Sequence, residues 1–165
     1  MSETQAADSS PNPGALPRDI IARMTGVEIF EAMIAGQLPA PPIMVTMEMK
    51  LREAERGRVV FTGTPSVAHM NPQGTVHGGW ISTILDSALT CAVHTDLDAG
   101  ELCTTTSLTV NMVRPLLPDA GEVRCEGRLV HRGRRLATAE GSLFDVTGKL
   151  IAHATVNCMV FGIGQ

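Results

Sequence analysis

Residues 76–95 read VHGGWISTILDSALTCAVHT and are the most informative stretch of this 165-residue chain. The stretch predicts one long helix, and Asp86 is its only formally charged residue. A helix on a protein surface usually carries several charges on its wet face. We therefore expect this helix to be buried nearly all round, with an antiparallel sheet on one side and a second copy of the chain on the other.

Asp86 lies in a stripe of small polar residues when the helix is drawn at about 100° per residue. The apolar residues of the same helix fall on a different arc. Two readings stay open at this point: a carboxylate that faces solvent, or one that lines a cleft and acts as a base. The small polar neighbours of Asp86 are Gly79, Ser82, Thr83 and Thr90.

The remaining sequence predicts an α+β protein whose sheet is antiparallel. Apolar residues at helical spacing before residue 38 predict two short helices separated at Gly26. Alternating and β-branched runs predict strands over residues 43–55, 58–70, 102–113, 122–132, 134–146 and 150–162. The last three strands follow one another through short turns, which is typical of a meander. We divide the chain into a polar tail (1–17), a helical segment (18–38) and one domain (39–165).

Composition excludes several classes of protein. The net charge is −4 and aromatic residues make up 3%, which disfavours nucleic-acid binding. The sequence has no run of 18 apolar residues, so no membrane-spanning helix is predicted. The acidic net charge disfavours binding to an anionic membrane surface, and the first residues do not resemble a secretion signal. Four widely spaced cysteines predict reduced thiols rather than a zinc site or disulfides, so we expect a cytoplasmic protein.

The sequence His77-Gly78-Gly79 stands at the predicted start of the long helix. The first helical turn offers backbone N–H groups and a partial positive charge, and glycine lets a ligand approach the backbone closely. Such a turn can hold an oxyanion or a polarised carbonyl, or it can simply be a glycine-rich entry loop. No phosphate-loop motif, metal-ligand cluster or GxSxG element is present, so no metal is expected.

These residues together resemble a known family. The run from Asn71 to Gly79 reads N-x-x-G-x-x-H-G-G, and Asp86 follows after six residues. Residues 105–115 read T-x-x-L-x-V-N-x-x-R-P. Both runs resemble the hotdog-fold acyl-CoA thioesterases of the PaaI type, and the resemblance covers residues 40–162. It implies a curved antiparallel sheet wrapped around a long central helix, and hydrolysis of an acyl-CoA without any cofactor, since coenzyme A is part of the substrate.

The resemblance also implies a role for each site residue. Asp86 would be the general base or nucleophile, and the Gly78 N–H would polarise the thioester carbonyl. Asn71 would orient the water or the carboxylate, His77 would position the thioester or the loop, and Thr105 would help to hold the water. Each site would lie between two protomers of a homodimer, with Asp86 and Thr105 from one and the glycine loop from the other. Dimers of this family often pair into homotetramers.

Binding of coenzyme A requires cations for its phosphates. Residues 128–135, RLVHRGRR, contain four arginines and no acid. We assign Arg114, Arg132, Arg134 and Arg135 to this role, with Gly79 as a point of close backbone approach; an ordinary charged hairpin is the alternative. Other functions left open are an acyl-CoA binding or sensing module without turnover, a hotdog dehydratase or hydratase, and a structural dimer without a ligand.

Overall fold

The computed structural model describes residues 12–164, and in them four helices and six strands. The helices are α1 (Arg18–Arg23), α2 (Gly26–Ile34), α3 (Pro42–Thr46) and α4 (Gly78–His94). The strands are β1 (Met49–Glu55), β2 (Arg58–Gly63), β3 (Glu101–Met112), β4 (Val123–Arg132), β5 (Leu136–Phe144) and β6 (Leu150–Gly162). No helix in residues 12–164 is long and apolar enough to cross a membrane.

The six strands form one antiparallel sheet in the order β1-β2-β4-β5-β6-β3. The predicted meander of β4, β5 and β6 is confirmed, and β3 joins it by pairing with β6 at the edge. All six strands contact α4, so the sheet wraps around this helix. The predicted α+β hotdog architecture is therefore confirmed.

The core lies between the sheet and one side of α4. Ile84, Leu85, Ala88 and Leu89 are fully buried there. The helix backbone passes so close to β4 that a Cβ added at Gly127 would overlap the backbone around Ala88. A side chain at position 127 would push the helix off the sheet, because protein interiors have almost no spare volume.

The other side of α4 is half-buried rather than enclosed in this single chain. Ser82, Thr83, Asp86, Ser87 and Thr90 all retain intermediate exposure. The expectation of burial nearly all round is therefore not met by one protomer, and the second copy predicted to cover this side stays a prediction.

The segment forms two short helices, as predicted, but they separate at Met24 and Thr25, and Gly26 is the first residue of α2 rather than the break. Thr25 caps α2 through a reciprocal capping box with Glu28. A Cβ at Gly26 would overlap the carbonyl of His94, and Phe30 packs edge-on against the His94 ring at 5.3 Å. This segment therefore closes the C-terminal end of α4. The predicted tail over 1–17 lies largely outside the described residues.

Two strand predictions extend too far. Residues 42–46 form α3 instead of strand, because Pro42 at the start of a helical turn favours that conformation. The chain enters β1 only after Glu48, whose φ of 51° bends the backbone. The second strand ends at Gly63, and Val67–His69 form a 3₁₀ turn instead of strand.

The outer face of the sheet carries an ion-pair network centred on Glu126. Its carboxylate contacts Arg58 at 3.3 Å, Arg124 at 2.8 Å and Arg128 at 2.5 Å. Burial alone would raise the pKa of Glu126, but hydrogen bonds from Arg58 and Arg124 lower it to about 2. This carboxylate is therefore ionised and structural.

Candidate active site

The site starts at the first turn of α4. His77 is the N-cap residue, and its Nδ1 accepts a 2.8 Å hydrogen bond from the Gly79 N–H. The N–H groups of Trp80 and Ile81 both turn back to the His77 carbonyl oxygen. His77 therefore satisfies two of the four N–H groups that a helix start leaves without an intrahelical partner, those of Gly79 and Trp80. The third is its own N–H, which donates to the His69 carbonyl at 2.7 Å.

The fourth N–H belongs to Gly78, and it has no hydrogen-bond partner within residues 12–164. It is the one donor that the first turn keeps available for a ligand, and it lies where the helix dipole is positive. A Cβ at Gly78 would lie 2.9 Å from the Cε of Met112, so the thioether packs directly over this residue. Gly78 and Met112 line a hollow of about 280 Å³ together with Asn71 and Arg114.

Asn71 holds the loop that leads into the helix. Its Oδ1 accepts hydrogen bonds from the N–H groups of Gln73 and Thr75, at 3.0 and 3.2 Å. Its Nδ2 donates to the Thr75 hydroxyl at 2.8 Å. In this structure Asn71 shapes the loop beside the hollow, and Thr75 is its partner, which the sequence motif did not identify.

Asp86 and Thr105 come together where α4 meets β3. The Thr105 hydroxyl donates to Oδ1 of Asp86 at 2.8 Å, although the two residues lie on α4 and β3 respectively. A β-bulge between Thr105 and Ser107 interrupts the pairing of β3 with β6. Because of the bulge, the side chain of Thr105 faces α4. The hydroxyl of the next residue, Thr106, instead donates to the backbone carbonyl of Asn157 on β6.

Thr90 completes this group, and sequence reasoning placed it beside Asp86 without giving it a function. Its hydroxyl lies 2.8 Å from the Thr105 hydroxyl and 3.4 Å from Oδ1 of Asp86. The spacing of four residues on one helix is the signal that could have identified it, since such residues are neighbours on the helix surface. Both Asp86 and Thr105 are half-buried here.

Thiols lie directly beneath this polar group. Cys158 Sγ contacts the Thr90 hydroxyl at 3.9 Å, and Cys103 Sγ contacts the Thr90 carbonyl at 3.8 Å. Burial, together with the negative charge of Asp86, raises the pKa of Cys91 to about 12. Hydrogen bonding to Cys158 and burial raise the pKa of Cys103 above its ordinary value. The four cysteines are free, as predicted, and Cys91 and Cys103 are protonated at neutral pH.

Gly78 and Asp86 cannot meet within one protomer. They are eight residues apart on the same helix, which is about 12 Å at 1.5 Å per residue. A thioester group is much smaller than that separation. One chain therefore holds a backbone donor at the start of α4 and a hydroxyl-bound carboxylate two turns later, too far apart to contact one thioester group.

The predicted arginines lie in three different places. Arg132 is committed to an ion pair with Glu101 at 2.6 Å, and its Nε is buried without a partner in residues 12–164. Arg134 and Arg135 instead line an open hollow of about 480 Å³ beside His131. Arg114 is exposed and donates through Nε to the Leu150 carbonyl at 3.3 Å. The structure thus does not bring the four arginines into one cluster. Within residues 12–164, no three His, Cys, Asp or Glu side chains are grouped to hold a metal ion.

The comparisons with known proteins agree with this architecture. The family model of the thioesterase superfamily matches residues 73–152. A phenylacetic acid degradation-related protein from Ralstonia eutropha JMP134 is 32% identical; 79% of this chain and 98% of that chain are covered, with a TM-score of 0.73. A variant of the phenylacetic acid degradation protein PaaI from Thermus thermophilus is 28% identical over 72% and 97% of the two chains, with a TM-score of 0.66.

A Streptococcus mutans UA159 protein, solved with acetyl-CoA bound, shares the fold at 23% identity over 71% and 91% of the two chains, with a TM-score of 0.64. No curated protein matches this chain. The sheet around α4 and the loop at its start define a hotdog-fold protein of the PaaI type. The chain belongs to the thioesterase superfamily. The family and its relatives support an acyl-CoA thioesterase, which confirms the enzyme class that the motifs predicted.

Proposed function

We propose that this protein hydrolyses acyl-CoA thioesters at sites shared between two copies of the chain. The observation that carries the proposal is the arrangement of α4. Its first turn keeps one N–H group available at Gly78, and two turns later a hydroxyl-bound carboxylate stands at Asp86. An oxyanion donor and a base are the two elements that hydrolysis of an activated ester needs.

The free edge of β3 offers a way to bring the donor of one copy and the carboxylate of another together. This strand is 12 residues long, and among residues 12–164 it pairs with β6 alone. Such an edge is a template for a second strand. Suppose that the β3 strands of two copies pair antiparallel, with Thr109 of one copy opposite Thr109 of the other. If Thr106 is a bulge that the pairing skips, Thr105 of one copy lies opposite the partner's Met112. Because Met112 covers Gly78 within its own chain, this register brings Asp86 of one copy towards the helix start of the other.

The chemistry follows from these groups. The thioester carbonyl oxygen accepts a hydrogen bond from the Gly78 N–H, which stabilises the negative charge that develops during attack. Asp86 either takes a proton from the attacking water, and that proton leaves on the coenzyme A thiolate, or it attacks the carbonyl itself and expels the thiolate, after which water hydrolyses the mixed anhydride. Both routes consume one water and release the acid and the thiol of coenzyme A. Thr105 fixes the Asp86 carboxylate. His77 acts by satisfying the neighbouring N–H groups, and Asn71 by shaping the loop.

Coenzyme A would extend from this site over the adjacent surface. Arg134 and Arg135 are the arginines best placed to receive phosphates, because they line a hollow and lack ion pairs within residues 12–164. Arg114 borders the hollow beside Gly78, where Gly79 also lies on the exposed first turn. Acetyl-CoA in the Streptococcus mutans structure shows that one protein of this fold binds such a ligand.

The four free thiols fit a reducing compartment, so a cytoplasmic location belongs to the same proposal.

The test is thiol release from a panel of short, medium, long and aromatic acyl-CoAs. We expect the wild type to release thiol, and Asp86→Asn to be slower by about 10²-fold or more, since this change keeps the size and removes the base. Asp119→Asn, at an exposed carboxylate far along the chain, is the matched control and should behave as wild type. Binding without turnover would instead indicate a sensing module, and hydration of an enoyl-CoA a hydratase.

Mixed dimers test the shared site. Asp86→Asn and Gly78→Pro each inactivate both sites of their own homodimer, but a dimer with one copy of each keeps one intact site. Random assortment of the two variants should therefore restore about a quarter of the wild-type activity. No recovery in verified mixed dimers, or a wild-type enzyme that is active as a monomer, would contradict the shared site. Mass measurement in solution also separates a dimer from the tetramer that the family allows.

A further inference from the structure

We infer that Thr90 is a positioning residue that acts on Asp86 through Thr105, as the first hydroxyl of a directed hydrogen-bond chain. The inference rests on the proposed function and extends its site by one residue. The side chains lie on α4 and β3, and their oxygens form a compact group. Thr105 Oγ1 is 2.8 Å from Oδ1 of Asp86, and Thr90 Oγ1 is 2.8 Å from Thr105 Oγ1.

The number of available protons determines which group donates in each hydrogen bond of this hydrogen-bond chain. Each hydroxyl has one proton, and an ionised carboxylate can only accept. The 2.8 Å contact between Thr105 and Asp86 therefore uses the Thr105 proton. The equally short contact between the two threonines must then use the Thr90 proton, which leaves only a weak 3.4 Å approach between Thr90 and Asp86. The Cys158 thiol lies 3.9 Å behind Thr90 as a donor to its oxygen.

The hydrogen-bond chain contacts only one of the two carboxylate oxygens of Asp86. Both threonine contacts are to Oδ1, and Oδ2 has no hydrogen-bond partner within residues 12–164. A terminal carboxylate torsion is broad and roughly two-fold, so without an anchor the two oxygens would exchange. A hydroxyl that itself accepts a hydrogen bond donates a stronger one. Thr90 thus strengthens the bond from Thr105, holds Oδ1 in place and leaves Oδ2 directed to the reacting water or carbonyl.

Steady-state kinetics of valine and serine variants test this role. Thr90→Val keeps the side-chain shape and removes the hydroxyl, and we expect kcat to fall about tenfold with KM changed by less than about twofold. Thr90→Ser restores the hydroxyl and should recover kcat to within about threefold of wild type. Thr147→Val is the matched control, because it also removes a threonine hydroxyl that donates to an aspartate Oδ1, at 2.7 Å in a distant turn. It should leave kcat unchanged.

A double variant separates positioning from general support of the fold. If Thr90 acts through Thr105, Thr90→Val adds little to the loss already caused by Thr105→Val. If the two threonines contribute independently, the fold-losses multiply. Thr90→Ala provides a second hydroxyl-free variant, and thermal unfolding of every variant identifies any loss that comes from instability.

The inference is overturned if folded Thr90→Val keeps wild-type kcat, if serine fails to rescue, or if the losses multiply. In each case an active enzyme that still depends on Asp86 leaves the proposed function intact. Absence of hydrolysis by the wild type across the panel overturns the proposed function, and this inference with it.

Discussion

Replacing Gly78 by proline removes one hydrogen atom that the proposed mechanism needs and disturbs little of the fold. Gly78 is the first residue of α4, where proline is well accepted because its missing N–H has no intrahelical partner anyway. The preceding residue, His77, has φ −63° and ψ 137°, which is the extended conformation that a residue before proline prefers. We therefore expect Gly78→Pro to fold with an unchanged or slightly raised melting temperature.

The expected loss of activity is large because no neighbouring donor can substitute. The Gly79 N–H is bound to the His77 ring, and those of Trp80 and Ile81 to the His77 carbonyl. Removal of a single oxyanion donor typically lowers kcat by about 10²–10³-fold, or about 3–4 kcal/mol. The helix dipole is left in place. We expect kcat to fall by about 10²-fold.

Gly78→Ala is the matched control, because it keeps the N–H and adds only a methyl group. That Cβ would lie 2.9 Å from Cε and 3.0 Å from Sδ of Met112. Both atoms lie at the end of a flexible side chain, which can shift to admit the methyl group. We expect the alanine variant to retain activity within about threefold of wild type.

The assay is initial-rate thiol release from the best acyl-CoA of the panel, with melting temperatures of all three proteins. A folded proline variant that turns over about as fast as the alanine variant would contradict the role of the Gly78 N–H. An alanine variant slower than the proline variant would contradict it too, since contact with Met112 rather than the N–H would then control the rate.

Three further predictions concern the sheet and the ligand surface. Gly127→Ala should lower the free energy of unfolding by about 3 kcal/mol in a urea titration, because the methyl group overlaps the backbone of α4; unchanged stability would contradict this close approach. Glu126 has a pKa of about 2 in the fold, below its ordinary value of 4.5, so its stabilising effect is complete above pH 4.5 and is lost as the pH falls through 2. Glu126→Gln should therefore be less stable than wild type at pH 7, and the difference should shrink between pH 4.5 and 2; a constant difference would show that the ion pairs are not responsible. Changing both Arg134 and Arg135 to alanine should raise KM for an acyl-CoA about tenfold and leave KM for an acyl-pantetheine, which lacks the nucleotide phosphates, unchanged. The control Arg18→Ala should leave both KM values unchanged. An equal rise of KM for both substrates would exclude phosphate contacts.

Local sequence patterns were sufficient to predict helices and strands wherever residues interact mainly with their neighbours along the chain. The helix predicted over 76–95 forms at Gly78–His94, because its apolar residues recur at helical spacing and His77 caps its start. The four strands after Gly100 form because β-branched and alternating residues suit a pleated, half-buried surface. The first strand was predicted too early, since the pattern of alternation over 43–48 could not reveal the helical turn that starts at Pro42.

Site residues were harder to predict where the partner lies far away in sequence. The motif pointed to Thr105, but only the bulge after this residue shows that its hydroxyl faces Asp86. The run of four arginines suggested one cationic patch, yet Arg132 pairs with Glu101, 31 residues earlier in the chain. Thr90 could be linked to the candidate site only from the fold, in which β3 brings Thr105 within 2.8 Å of it.

Residue patterns along the chain were enough to predict the long helix with a single carboxylate, its glycine start, the order of the six strands and the family. Those features depend on residue spacing, and spacing along one helix or strand already fixes which side chains share a face. The folded structure was needed to show that Gly78 keeps the one available N–H of its turn, and that two threonines contact one oxygen of Asp86. These are hydrogen bonds between groups brought together by strand register and helix packing, and the positions of individual protons and oxygens cannot be derived from spacing along the chain.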